Sequence, residues 1–234
     1  MPDRIRIPCS VVLLFLAALQ LPACSGSSDQ AQTPPVSGTI EGGLRVLTFD
    51  PVAKDQHFTI YRGDYVRAQL TTGEPFTIRI AALNVNKTFP ATEDDKPYFK
   101  VPEPGSYRFS VGQGQGTIEA IEYAASAYKE VSSAEAADFI TNVNPLILDV
   151  RTPREFASGH LQDARLIPLQ VFQREVVNLE QHKNEPVFVY CRTGNRSTVA
   201  AKILVDNGFT NVVNLRRGIV EWRRAGKPIV KTPK

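Results

Sequence analysis

Residues 187–197 read Val-Phe-Val-Tyr-Cys-Arg-Thr-Gly-Asn-Arg-Ser. A four-residue apolar run drives into Cys191, and two arginines and a glycine follow it within five residues. From Thr198 to Asn207 the apolar spacing becomes helical, with Val199, Ala200, Ile203 and Leu204 on one face. The stretch therefore predicts a buried strand, a tight loop and a helix N-terminus, with a thiol held in the loop. Cysteine is a nucleophile only as the thiolate, and a helix N-terminus with nearby arginines favours that form.

On both sides of this stretch, strand and helix signals alternate. Ser132 and Glu135 form a capping box ahead of Ala136, Ala137, Phe139 and Ile140, and Pro145 stops that pattern. Leu146-Ile147-Leu148-Asp149-Val150 has the unbroken apolarity of a strand covered on both faces. Thr152-Pro153-Arg154-Glu155 is a second capping box, with proline at the first helical position. Arg165-Leu166-Ile167 is a short strand, followed by a helical run from Leu169 to about Leu179. Beyond the Asn207-Gly208 stop come a strand at Asn211–Leu215 and a last helix, Gly218–Ala225, carrying Trp222. This alternation predicts an α/β domain over 126–234, a parallel sheet flanked by helices. Active sites of such sheets lie beyond the carboxyl ends of the strands, where Cys191 falls.

Residues 38–125 read differently. Leu44–Phe49, Tyr65–Leu70, Phe76–Ala81, Tyr107–Val111 and Thr117–Ile121 mostly alternate apolar and polar residues between turns rich in Gly, Pro and Asp. They predict a separate small all-β sandwich with antiparallel strands. Pro104–Phe109 followed by Gly116-Thr117-Ile118 resembles the closing hairpin of cupredoxin-like domains, and an immunoglobulin-like sandwich fits the same pattern. Between Gly38 and Tyr123 there is one histidine, His57, and neither cysteine nor methionine, so the ligands of a copper electron-transfer site are missing. Gly112-Gln113-Gly114-Gln115-Gly116 imitates a phosphate loop but leads into a strand, and reads as a hairpin turn. Arg62-Gly63-Asp64 reads as a turn.

The N-terminus predicts export. Arg4 and Arg6 precede the apolar run Val11–Leu19, which ends at Leu21-Pro22-Ala23-Cys24. That exit resembles the lipobox of bacterial lipoproteins, which implies a signal peptide at 1–23 and an acylated Cys24. Lipid chains there would hold the protein at a membrane surface, facing the periplasm or cell exterior. Ser25–Ser37 completes a flexible tether over 24–37. Cys9 would leave with the leader, so Cys191 becomes the one free thiol, without an internal disulfide partner.

Residues 126–234 carry 16 Lys/Arg against 11 Asp/Glu, and residues 24–125 carry 9 against 12. The contrast agrees with a domain boundary and favours a small anionic substrate for the second half. No basic-aromatic face suggests nucleic acid.

Four motifs together resemble rhodanese-like domains: Asp149-Val150-Arg151; Glu155-Phe156 with Gly159-His160; Cys191 to Ser197; and Arg217-Gly218-Ile219 with Trp222 and Ala225-Gly226. The resemblance implies sulfurtransferase chemistry without a cofactor. Cys191 is the expected nucleophile, passing a sulfane sulfur from a donor such as thiosulfate through a persulfide to cyanide or a thiol. Arg196 and loop N–H groups are expected to stabilise the anion, with Arg192, Thr193, Gly194, Asn195 and Ser197 around the substrate. Asp149 and Arg151 are expected to hold the loop or neighbouring strand ends, and His160 to be structural. Arg217 departs from the glycine common at its position.

Related cysteine phosphatases place the arginine six positions after the cysteine. Here Arg196 follows Cys191 by five, a loop suited to one sulfur atom more than to a phosphate. A persulfide carrier or sensor acting with a protein partner would have the same loop.

Overall fold

The computed structural model describes residues 35–71, 74–90 and 97–231. The leader, Cys24 and most of the tether lie outside the described residues. Ser37, read as the tether's end, already belongs to the folded body: its N–H donates to the Thr59 carbonyl at 2.7 Å, and its hydroxyl accepts from Thr59 N at 2.9 Å.

The first half is a two-sheet sandwich. Strands β1 (Thr39–Glu41), β2 (Leu44–Phe49), β4 (Tyr65–Leu70) and β7 (Phe99–Lys100) form one sheet in the order β1-β2-β4-β7. Strands β3 (Gln56–Tyr61), β5 (Phe76–Ile80), β6 (Val85–Phe89), β8 (Gly105–Val111) and β9 (Gly114–Ile121) form the other, in the order β3-β9-β8-β5-β6. Their inner faces share one core with Phe49, Ile60, Ile78, Val111 and Ile118 at its centre, and each such side chain contributes about 2 kcal/mol of burial. Val111 pairs with Gly114, so Gly112-Gln113 is a two-residue hairpin turn, with Gly112 at φ +56°.

The antiparallel expectation holds for five of the seven strand pairings among the described residues and needs correction for two. β2 runs parallel to β4, and β3 runs parallel to β9. β3 crosses to the opposite sheet between β2 and β4, so the chain returns to the first sheet in its original direction. Alternation of apolar and polar residues marks a half-buried strand but carries no information on the direction of its partner.

The second half is a five-stranded, wholly parallel sheet in the order β10-β14-β13-β11-β12. Its strands are β10 (Tyr128–Val131), β11 (Leu146–Asp149), β12 (Arg165–Leu166), β13 (Val187–Tyr190) and β14 (Val212–Leu215). Helices α1 (Ser133–Val143), α2 (Pro153–Ala157), α3 (Leu169–Glu175), α4 (Asn195–Asp206) and α5 (Gly218–Arg224) connect and flank them. Both capping boxes form, Ser132 with Glu135 and Thr152 with Glu155. The run after Glu175 tightens to a 3-10 helix over Val176–His182. α4 begins at Asn195, four residues before Val199, the first apolar position of its pattern, with Gly194 at its N-cap.

The halves pack directly on one another. Arg62, in the turn between β3 and β4, bonds Glu130 on β10 at 3.0 Å and Glu122 at 2.8 Å. Gly43, between β1 and β2, lies so close to Leu169 that an added Cβ would sit 2.6 Å from its Cγ. Tyr123, in the connecting segment, meets the rings of Tyr61 and Tyr128 with centroids 5.0 Å away in each case.

Candidate active site

Four fully buried residues, Val187 to Tyr190, carry the chain to Cys191 through the middle of the sheet. Neighbouring side chains fix this strand end. The Arg151 guanidinium grips Asp149, also donates to the Gly159 carbonyl at 2.9 Å, and lies over the Tyr190 ring. The Tyr190 hydroxyl in turn accepts from Leu161 N at 3.1 Å. Asp149 and Arg151 thus brace the strand ends without touching the thiol. His160 stacks on Phe156, and its backbone forms a bridge to Val230.

Cys191 is free and 1% exposed. Its Sγ accepts from Gly194 N at 3.2 Å, at the N-terminus of the twelve-residue α4. The Ser197 hydroxyl lies 3.5 Å from Sγ and 2.8 Å from the Gly194 carbonyl, two acceptors sharing its one hydrogen. Among the described residues no imidazole or carboxylate hydrogen-bonds Sγ. The N–H group and helix dipole favour negative charge on sulfur.

The loop is clamped from below. Ile219 N donates to the Cys191 carbonyl at 2.9 Å and Val220 N to the Arg192 carbonyl at 3.1 Å. That approach leaves no room at Gly218, where an added Cβ would lie 2.4 Å from the Cys191 carbonyl oxygen. Gly194 takes φ +95° in the same turn. Arg217 also lies in the left-handed region, at φ +58°, the conformation that makes glycine the common residue there.

Arg196 does not stand free over the sulfur. Glu155 holds its guanidinium with two bonds, 2.7 and 2.8 Å, while accepting from the Thr152 amide and hydroxyl. Arg196, foremost among the causes, holds the Glu155 carboxyl down at about 2 despite partial burial. Burial opposes the Arg196 charge, but Glu155 and Cys191 together raise its pKa. The sequence marks Glu155 as a helix cap and as part of a rhodanese-like motif, and neither carries a sign that Arg196 is its second partner.

The remaining loop residues divide. Arg192 and Thr193 are exposed. Asn195 is buried, and it faces the sandwich rather than the thiol. Its amide, oriented to satisfy both neighbours, donates to the Thr193 carbonyl at 3.3 Å and accepts from Lys100 Nζ at 2.9 Å. Beneath it, Asn214 Nδ2 lies within 3.0–3.2 Å of Tyr128, Thr198 and Glu130, and Thr198 Oγ1 donates to the Gly194 carbonyl. A polar chain therefore runs from Arg62 of the sandwich to the glycine that binds sulfur.

Between sandwich and loop lies a cleft of about 1050 Å³, lined by Tyr65, Tyr98, Lys100, Glu155, Arg192 and Arg196 among others. Tyr65 and Lys100 come from the first half and had no signal in the sequence, since their place depends on domain packing. Among the described residues, no cluster of three or more His, Cys, Asp or Glu side chains could hold a metal, and no helix is long and apolar enough to cross a membrane.

A parallel sheet with a cysteine loop between its central strand and a helix N-terminus, clamped by a second short helix, defines an α/β domain of the rhodanese type. The chain belongs to the rhodanese-like family, and the model of the rhodanese-like domain matches residues 132–225. A sulfurtransferase of Allochromatium vinosum is 40% identical over 85 residues, 36% of this chain and 78% of its own. A thiosulfate sulfurtransferase of Actinobacillus pleuropneumoniae is 32% identical over 102 residues, 44% of this chain and 93% of its own. The crystal structure of a rhodanese-like domain protein from Staphylococcus aureus is 29% identical, with a TM-score of 0.38 over 45% of this chain and 99% of its own.

Proposed function

We propose that the chain is an exported, lipid-anchored sulfurtransferase. The Cys191 thiolate attacks the outer sulfur of a small anionic donor such as thiosulfate. A bond forms between Sγ and that sulfur, the donor's S–S bond breaks, and sulfite leaves with the electron pair. Cyanide or a thiol then takes the outer sulfur and regenerates the thiolate. The observation that carries this reading is the Cys191 Sγ itself, buried at a strand end and served by Gly194 N–H, with no imidazole or carboxylate bonded to it among the described residues. An electrostatically held thiolate needs no general base, and the same cradle suits a persulfide anion. The two relatives named as sulfurtransferases agree with it.

The test is mass spectrometry of the Cys191 peptide after exposure to thiosulfate. Gain of one sulfur atom, abolished in Cys191→Ser, is expected; no uptake from thiosulfate or any other sulfane donor overturns the proposal. For the anchor, Cys24→Ala should release the protein from membranes, and continued binding refutes it.

A second reading is a persulfide carrier or sensor that delivers sulfur to a protein partner, since a thiolate held by the Gly194 N–H would serve that role equally. A folded protein that takes up one sulfur yet does not turn over thiosulfate and cyanide would support the carrier.

A further inference from the structure

We propose that Lys100, carried by the sandwich, is a specificity-determining residue of the sulfur site, holding the oxyanion end of the donor beside Cys191. This rests on the sulfur-transfer reading above and names a group outside the family-matched residues.

The first observation is what the loop's own arginine is doing. Both terminal nitrogens of Arg196 face Glu155, so the pair presents little net charge to an incoming anion. Lys100 and Arg192 line the same cleft, and neither makes an ion pair among the described residues. Both are placed to meet a donor there.

The second is how Lys100 is placed. β7 is only two residues long, and it pairs antiparallel with β4, Lys100 opposite Tyr65. Direct partners point to the same face of a sheet, and both side chains line the cleft. The turn that leads into β4 presses on the loop: Gly63, at φ +89°, would place an added Cβ 3.0 Å from Asn195 Cβ. Gly63 N also donates to the Val101 carbonyl at 2.7 Å, tying the turn to the residue after Lys100. Lys100 Nζ ends 2.9 Å from the Asn195 oxygen at the first turn of α4. An ammonium is thereby added to the positive end of the helix that serves the sulfur.

The electrostatics agree with that geometry. Burial, foremost, with Arg196 and Arg62 behind it, holds the Lys100 pKa below the ordinary lysine value, and the Cys191 charge opposes that fall, which places the ammonium within electrostatic reach of the sulfur. Burial, then the Cys191 charge, push Tyr65 up to about 12, which keeps its hydroxyl protonated as a donor. When thiosulfate approaches sulfur-first, its oxygens must lie outward from Cys191, toward the wall from which Lys100 and Tyr65 project. The same contacts would hold the sulfite as it departs.

The test compares full-length wild type, Lys100→Met and Lys100→Arg by peptide mass spectrometry at Cys191. Alkylation rates are read with iodoacetate, an anion, and iodoacetamide, its neutral counterpart. One nearby charge should change their ratio by about fivefold, so Lys100→Met should lower it by that factor and Lys100→Arg should restore it. The KM for thiosulfate should rise by a similar factor in Lys100→Met, with kcat much less affected. An unchanged ratio, or equal slowing with both reagents, overturns the assignment, the latter pointing to packing alone. If thiosulfate loads no sulfur while the ratio still falls in Lys100→Met, the sulfur-donor reading fails and Lys100 stands as an anion contact.

Discussion

Glu155 joins two elements at once: one carboxylate caps α2 through Thr152 and closes on Arg196 with bonds of 2.7 and 2.8 Å. The folded carboxyl titrates at about 2 instead of 4.5, chiefly through Arg196. Because the folded value is depressed, the stabilisation is complete above about 4.5 and is lost as pH falls toward about 2. Glu155→Gln should flatten the pH dependence in that window, read by urea unfolding. The pair is partly solvated, with side chains 16% and 25% exposed, so the difference should stay near 1 kcal/mol.

Gly194 supplies the N–H that reaches the sulfur, at φ +95°, and an added Cβ would meet Arg217 N at 3.0 Å. Gly194→Ala should therefore move this donor as the turn relaxes. Sulfur loading of Cys191 is expected to slow about tenfold, equivalent to about 1.4 kcal/mol. Stopped-time mass spectrometry reads it, and an unchanged rate would remove the Gly194 N–H from the mechanism.

Arg217 sits at φ +58° with its side chain exposed and in no ion pair among the described residues. A left-handed non-glycine residue is strained by about 1–2 kcal/mol, partly offset by the extra freedom glycine has when unfolded. Arg217→Gly should raise the melting temperature by about 2–4 °C for each kcal/mol gained. Thermal unfolding checks it.

Arg45 and Asp64 are each 2% exposed and paired inside the sandwich. The Asp64 carboxylate also accepts from Tyr61 N at 3.0 Å, and Arg45 donates to the Ser37 carbonyl at 2.8 Å. Asp64→Asn leaves a buried guanidinium without its counter-charge, and the expected loss is about 3–5 kcal/mol. The denaturant midpoint should fall accordingly.

The α/β half was legible in the sequence because its signals are local. Capping boxes at Ser132 and Thr152, apolar runs at Leu146 and Val187, and the Asn207-Gly208 stop each act within a few residues. Edge strand β10 escaped notice because Tyr128-Lys129-Glu130-Val131 has apolar character only at its ends. In the sandwich, β1, β3, β6 and β7 went unread, and the two parallel pairings could not be read, since pairing is a property of distant segments. The site shows the same division. Cys191 and Gly194 announced themselves in one loop, whereas Glu155, Lys100 and Tyr65 arrive from separate parts of the chain. The turn Arg62-Gly63-Asp64 was placed correctly as a turn, but its ion pair with Glu130 and its contact with Asn195 exist only once the halves meet.

Only six residues separate the end of β9 at Ile121 from the start of β10 at Tyr128, and one of them, Tyr123, is buried between the aromatic rings of both halves. A segment so anchored is part of the core and does not behave as a hinge. Heat should therefore be taken up in one cooperative endotherm, with calorimetric and van't Hoff enthalpies equal. A lesion deep in the sandwich would then reach the thiol as a smaller folded population, leaving the chemistry of each surviving molecule intact.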